Sequence, residues 1–186
     1  MSKVVDLHRA GAPKELGIYI ITCSTSRYHE PKTSTKTNDI SGDIIEQLVR
    51  NAGHRLEGRK LIPDSRSKIR SVTRAALASK QVDCIIITGG TGLSPYDITI
   101  ESIRPFYQKE VFGFGELFRA LSYQEIGTST IQSRAIGGLS NGTLIFCLPG
   151  STGACRTGWE KILRGQLDVN HEPCNFVELI PRFDEA

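Results

Sequence analysis

One stretch constrains this chain more than any other. The apolar run Cys84-Ile85-Ile86-Ile87 passes directly into Thr88-Gly89-Gly90-Thr91-Gly92, which is built wholly of threonine and glycine. A run that is apolar at consecutive positions is covered on both faces, as a central strand of a parallel sheet must be. A glycine turn at its end leaves backbone N–H groups open to close approach, and such concavities suit anions. Five residues past Gly92 stands Asp97, a carboxylate able to hold a metal ion beside a bound phosphate.

Around this centre the pattern alternates. Residues 16–22 (LGIYIIT) are β-branched and aromatic and read as a buried strand. Residues 23–38 are rich in Ser, Thr and Lys, carry Pro31, and read as a long loop. Residues 39–51 place Ile40, Ile44, Ile45, Leu48 and Val49 on one helical stripe ending at Gly53. A weaker strand follows over 56–62, then an amphipathic helix over 65–80, with Asp64 or Ser65 as its cap. The third strand spans 82–88. Short helices are expected over 98–106 and 115–127, and strands over 135–139 and 143–148 joined by Ser140-Asn141-Gly142, a hairpin signal. A last helix over 151–166 and a β-like piece over 176–180 complete the chain. This order predicts a three-layer α/β/α sandwich with a mainly parallel mixed sheet. Residues 1–15 form an N-terminal arm, and 16–182 one domain.

Composition narrows the function. The net charge of +3 is spread among interspersed acids, so no basic stripe for nucleic acid exists. No apolar run approaches the length that spans a bilayer, and the N-terminal residues lack the apolar segment of a signal peptide. Five cysteines form no C-x-x-C pair, and a reducing cytoplasm is the natural setting. His8, His29, His54 and His171 show no metal-ligand spacing and read as surface residues. Trp159 reads as packing, while Phe106, Phe112, Phe114 and Phe118 form either a core edge or a subunit contact.

The glycine turn fits neither common phosphate motif. Pro95 stands where a dinucleotide fingerprint needs its third glycine, and no Gly-Lys-Ser/Thr occurs anywhere. Its position is more informative. In open α/β sheets ligands bind beyond the carboxyl ends of the strands. Three segments should meet there: Pro63-Asp64-Ser65, the stretch 88–97 with Ser94, and Pro149-Gly150-Ser151-Thr152-Gly153. Asp64 and Asp97 could each be a simple helix cap. A Mg²⁺ role becomes the better reading if the two come together with phosphate between them, since Mg²⁺ is commonly held by one or two carboxylates plus substrate phosphates. Asp39, Ser41 and Gly42 carry the same ambiguity.

TGGTGLSPYD (88–97), EVFGFGELFRALSYQEIGTSTIQSRAIGG (110–138) and LPGSTGACRTGWE (148–160), in this order, resemble the MoaB/MogA family of molybdenum cofactor biosynthesis proteins, and the last two look more like its MoaB branch. The resemblance covers about 16–175. It implies the molybdopterin-binding fold, assembled as a homotrimer or homohexamer, with contacts to other cofactor-biosynthesis proteins. It further implies binding of molybdopterin and, in active members, adenylylation of its terminal phosphate with Mg-ATP. By motif, the two essential aspartates fall on Asp64 and Asp97. The phosphate-and-nucleotide turns fall on Gly89, Gly90, Thr91 and Gly92, and on Pro149, Gly150 and Ser151. Ile40, Tyr96 and Ile100 depart from the family pattern. A non-catalytic molybdopterin-binding or scaffold protein of the same pathway is the alternative.

Overall fold

The computed structural model describes residues 11–30 and 38–183. Six strands form one sheet in the order β2-β1-β3-β6-β5-β4. They are β1 (Gly17–Cys23), β2 (Arg55–Ile62), β3 (Cys84–Thr88), β4 (Lys109–Glu110), β5 (Ile136–Ser140) and β6 (Thr143–Leu148). β2, β1, β3 and β6 run parallel, whereas β5 and β4 add antiparallel. The mixed α/β sandwich is therefore present. The hairpin lies where Asn-Gly marks it: Asn141 and Gly142 take φ of 48° and 76°, and the turn joins Ser140 to Thr143.

The sheet is covered on both faces because its side chains alternate. Ile18, Ile20, Cys84, Ile86, Leu144 and Phe146 pack in one cluster. There they meet α2 (Ile40–Asn51), α5 (Phe112–Ile126) and the last helical segment. That segment runs from α6 (Thr152–Gly158) through a π turn (Trp159–Leu163) into α7 (Arg164–Gln166). The neighbouring positions Ile21, Ile85, Ile87, Ile145 and Cys147 face the opposite way, onto α3 (Arg66–Leu77) and α4 (Thr99–Ile103). Ile85, Ile86 and Ile87 are each fully buried, so β3 is the centre its sequence predicts. Each buried isoleucine stabilises by about 2 kcal/mol relative to an exposed one.

Some expectations change. Residues 23–30 are not a featureless loop: Cys23 completes β1 and Ser24 caps a short helix, α1 (Thr25–His29). The rest of that loop, 31–37, and residues 1–10 of the arm lie outside the described residues. Residues 176–180 are not a strand: Phe176 precedes, and 177–180 belong to, a 3-10 helix, Val177–Arg182. Val177 and Ile180 stand three apart and both meet the core, a spacing that suits a three-residue turn. His54 is not a surface residue. It is buried, its Nδ1 accepts from the Leu16 amide at 3.3 Å, and its ring lies edge-on to Trp159. Trp159 packs as expected, and Phe114 and Phe118 are core while Phe112 is exposed.

Strand order places the crevice. From β1 the chain steps to β2 on one side and β3 on the other, so the crossover helices lie on opposite faces. Such a reversal opens a cleft at the carboxyl ends of the strands between them.

Candidate functional site at the carboxyl edge of the sheet

The cleft is a cavity of about 660 Å³, within the range that holds small organic ligands. Its floor is made by the end of β1, and its rims by Asp64, the turn 89–92, Asp97 and Pro149-Gly150-Ser151. All three expected segments meet here. Thr88 and Ser94 do not line it. Thr88 is buried beneath, its hydroxyl donating to the Pro149 carbonyl at 3.0 Å, and Ser94 braces Asp97 from outside.

The first turn depends on glycine. Gly89 and Gly90 have φ of +91° and +61°, backbone that L side chains rarely adopt. A Cβ on Gly90 would lie 2.8 Å from Asp64 Oδ1, and one on Gly92 would lie 2.8 Å from Asp97 Oδ2. The two carboxylates therefore flank one three-residue stretch. The second turn rests on the first: a Cβ on Gly150 would lie 3.1 Å from the Gly89 Cα, and the Gly89 amide donates to the Leu148 carbonyl at 3.1 Å.

Neither aspartate is a helix cap. Asp64 Oδ2 accepts from both the amide and the hydroxyl of Thr25, each at 2.8 Å, and Ser65 occupies the cap position of α3. Asp97 Oδ2 accepts from the Ser94 amide at 2.9 Å, and α4 begins after Ile98. Asp39 is different. It caps α2 through the Gly42 amide at 3.0 Å, accepts from Thr22 Oγ1 at 2.9 Å, and pairs with Arg59 at 2.8 Å. With those partners Asp39 is structural. Ser41 is buried and donates to the Gly150 carbonyl at 2.7 Å, tying α2 to the second turn.

Asp64 Oδ1 remains without a partner. It and Ser133 Oγ are the buried side-chain polar atoms without a hydrogen bond among the described residues, and both residues line this cavity. Orphaned buried polar atoms are costly in a native protein unless something else satisfies them. A divalent cation beside the turn suits an anionic oxygen so placed. No group of three or more His, Cys, Asp or Glu side chains gathers to hold a metal among the described residues. That donor set suits Mg²⁺ completed by ligand phosphates rather than an all-protein cage.

Several contributors were not singled out from sequence. Arg134 braces the turn from behind, donating to the carbonyls of Thr91 at 3.0 Å and Asp97 at 2.8 Å while pairing with Glu101. That pairing holds the Glu101 carboxyl below its usual value, the hydrogen bond from Arg134 being the main cause. The far wall comes from α5 and the 3-10 turn after it: Ser122, Glu125, Ser129 and Ser133. Glu125 accepts from Thr157 and from Lys161, which lower its pKa in the reverse of that order. The thiol of Cys23, on the cavity floor, is pushed up to about 12 by burial, so it is a neutral group and not a nucleophile.

A doubly wound sheet with two glycine turns and two carboxylates lining a cleft at its switch point defines an α/β domain of the ligand-binding type. Comparison with known proteins narrows the class. The family described as "Probable molybdopterin binding domain" matches residues 19–169, and the chain belongs to it. It is 46% identical over 159 residues to molybdenum cofactor biosynthesis protein B of Escherichia coli K12, covering 86% of this chain and 89% of that one. A protein of Methanocaldococcus jannaschii named probable molybdopterin adenylyltransferase is 35% identical, over 77% of this chain and 85% of its own. A crystal structure of a molybdenum cofactor biosynthesis protein B superposes with a TM-score of 0.75 at 38% identity, covering 84% of this chain and 93% of that chain.

Proposed function

We propose that the protein binds molybdopterin and Mg-ATP in this cavity and adenylylates the pterin's terminal phosphate. The observation that carries the reading is the unpartnered Asp64 Oδ1 facing Gly90, opposite an Asp97 held at Gly92. In such a transfer an oxygen of the pterin phosphate attacks the α-phosphorus of ATP, and pyrophosphate leaves with the electrons of the broken P–O bond. This chemistry asks a protein for positioning and charge stabilisation more than for covalent help. Asp64 and Asp97 would hold Mg²⁺, which when bound offsets negative charge on the phosphates. Gly90 and Gly92 let the backbone approach those phosphates, and the turn at Gly150 and Ser151 supports the second substrate. The wall at Ser122, Ser129 and Ser133 offers hydroxyls to the polar edges of a pterin.

The surroundings support a cytoplasmic setting. All five cysteines are free, and no helix among the described residues is long and apolar enough to cross a membrane. Phe112, Leu117, Tyr123, Ile126 and Ile131 are exposed along α5 and the following turn, a surface suited to the homotrimer or homohexamer expected of the family. Native mass measurement decides between those two states.

The test is Mg²⁺-dependent ATP consumption with pyrophosphate release on addition of molybdopterin. Asp97→Asn should keep the fold and abolish that product. Pterin binding without any turnover by wild-type protein would select the non-catalytic reading, and nucleotide binding without pterin affinity would reject both.

A further inference from the structure

The cavity is acidic for a site that takes phosphates. Asp64, Asp97 and Glu125 line it, and among the described residues Arg27 is its one cationic side chain. Two phosphate-bearing substrates bring several more negative charges, and like charges crowded together oppose binding unless cations or oriented dipoles answer them.

Arg27 is placed to answer them. It lies on α1, the same five-residue helix whose Thr25 holds Asp64. Its guanidinium donates to Ser41 Oγ at 3.4 Å, and Ser41 in turn donates to the Gly150 carbonyl at 2.7 Å. The cation thus stands one hydroxyl away from the second glycine turn. A guanidinium carries five N–H donors in a fixed fork. Ser41 takes one of them, and no carboxylate pairs with Arg27 among the described residues. Arg59 makes the contrast: its fork is spent on Asp39, Asp43 and Glu46. Arg27 is half-buried, and its guanidinium is held at the cavity by the Ser41 contact.

We propose that Arg27 is a phosphate-gripping residue of the site, binding a substrate phosphate against the turn at Gly150. The proposal rests on the reading of the cavity as a site for phosphorylated substrates and adds the residue that confers anion affinity on it. The phosphate can come from the nucleotide or from the pterin, and the chemistry of recognition is the same.

The experiment titrates wild type, Arg27→Gln and Arg27→Lys with tripolyphosphate, ATP and adenosine in the presence of Mg²⁺, and measures KM for ATP and for molybdopterin separately. Arg50→Gln, on the exposed face of α2 and paired only with Glu46, serves as the surface-charge control. Loss of a charge-assisted fork weakens binding by about tenfold to a hundredfold. That loss is expected for tripolyphosphate and ATP in Arg27→Gln, with adenosine unaffected and the melting temperature unchanged. Arg27→Lys should recover part of it, since lysine restores the charge but not the fork. A rise in the KM for molybdopterin alone would assign the gripped phosphate to the pterin. Arg27→Gln indistinguishable from wild type in every binding constant and KM, while wild type turns over, overturns this proposal alone. Wild type that binds tripolyphosphate through Arg27 without turnover removes the catalytic reading and keeps this one. Wild type that binds none of the probes overturns both.

Discussion

Thr25 grips Asp64 from both directions. Its amide and hydroxyl donate to Oδ2 at 2.8 Å each, and its Oγ1 accepts from the Asp64 amide at 2.9 Å. Oδ1 is left to face Gly90. A group that orients a metal-binding carboxylate commonly matters tenfold to a hundredfold to activity, in order of magnitude. Thr25→Ala is therefore expected to lower kcat/KM by about that factor with little change in stability, because Thr25 is exposed. Thr25→Ser keeps the hydroxyl and should recover most of the rate. Equal activity of the alanine and wild-type proteins at limiting Mg²⁺ would show that Asp64 needs no such support.

Gly90 and Gly53 separate strain from function. Both have positive φ, +61° and +82°, but a Cβ at Gly53 meets nothing whereas one at Gly90 meets Thr99 Oγ1 and Asp64 Oδ1. Alanine at either position costs about 1–2 kcal/mol of backbone strain. Only Gly90→Ala should also displace Asp64, so ATP turnover is expected to fall below detection there and stay normal in Gly53→Ala. Urea melts of both variants, set beside their rates, check this directly.

Much of this arrangement is legible in the sequence. The strand ends and the two small-residue turns are local features, and the rule for open sheets brings them to one edge. The consecutive isoleucines of β3 required burial on both faces, and the structure gives it. What stayed hidden depends on distant partners. Arg134 is one basic residue among 23 Lys and Arg, and only the folded chain puts it behind Thr91 and Asp97, 43 and 37 residues away. Thr25 lies 39 residues from Asp64 in a polar segment with no period to mark it. His54 shows the reverse error: a polar residue after a helix-ending glycine looks exposed, yet the chain turns back beneath Trp159. The tail 176–180 has β-branched composition, yet its three-residue spacing of Val177 and Ile180 prevails and it folds as a 3-10 turn.

Arg134 should behave as a positioning residue. It contacts the backbone carbonyls of Thr91 in the glycine turn and of Asp97 beyond it, and one carboxylate, a geometry that a lysine cannot span. Arg134→Lys and Arg134→Gln are both expected to lose activity, by about tenfold or more, chiefly through a raised KM for ATP. A structural role confined to stability would instead lower the melting temperature and leave the KM untouched. The Glu101 carboxyl adds a pH signature. Its folded pKa is lowered, so the stability it contributes is present above the unfolded value and lost as pH falls through the folded one. Arg134→Gln should remove that part of the acid dependence.

His54 predicts how stability responds near neutral pH. Burial is the main cause that lowers its pKa from 6.5, against weaker opposing effects of Asp168, Glu15 and Asp83. Its Nδ1 must stay unprotonated to accept from the Leu16 amide. The unfolded chain therefore takes up a proton more readily than the folded one. By linkage the stabilisation is fully present above pH 6.5 and is lost as pH falls from there through the lowered folded pKa. Urea midpoints of wild type should drop between pH 7.5 and pH 5, on the order of two units of pH that bracket imidazole titration. His54→Phe leaves the Leu16 amide unpaired and so costs about 1–3 kcal/mol where the imidazole is neutral, above pH 6.5. The gap between the two proteins should consequently narrow as the solution becomes acidic. A gap that widens on acidification would mean that protonated His54 stabilises the fold, a result incompatible with a neutral imidazole buried against Trp159.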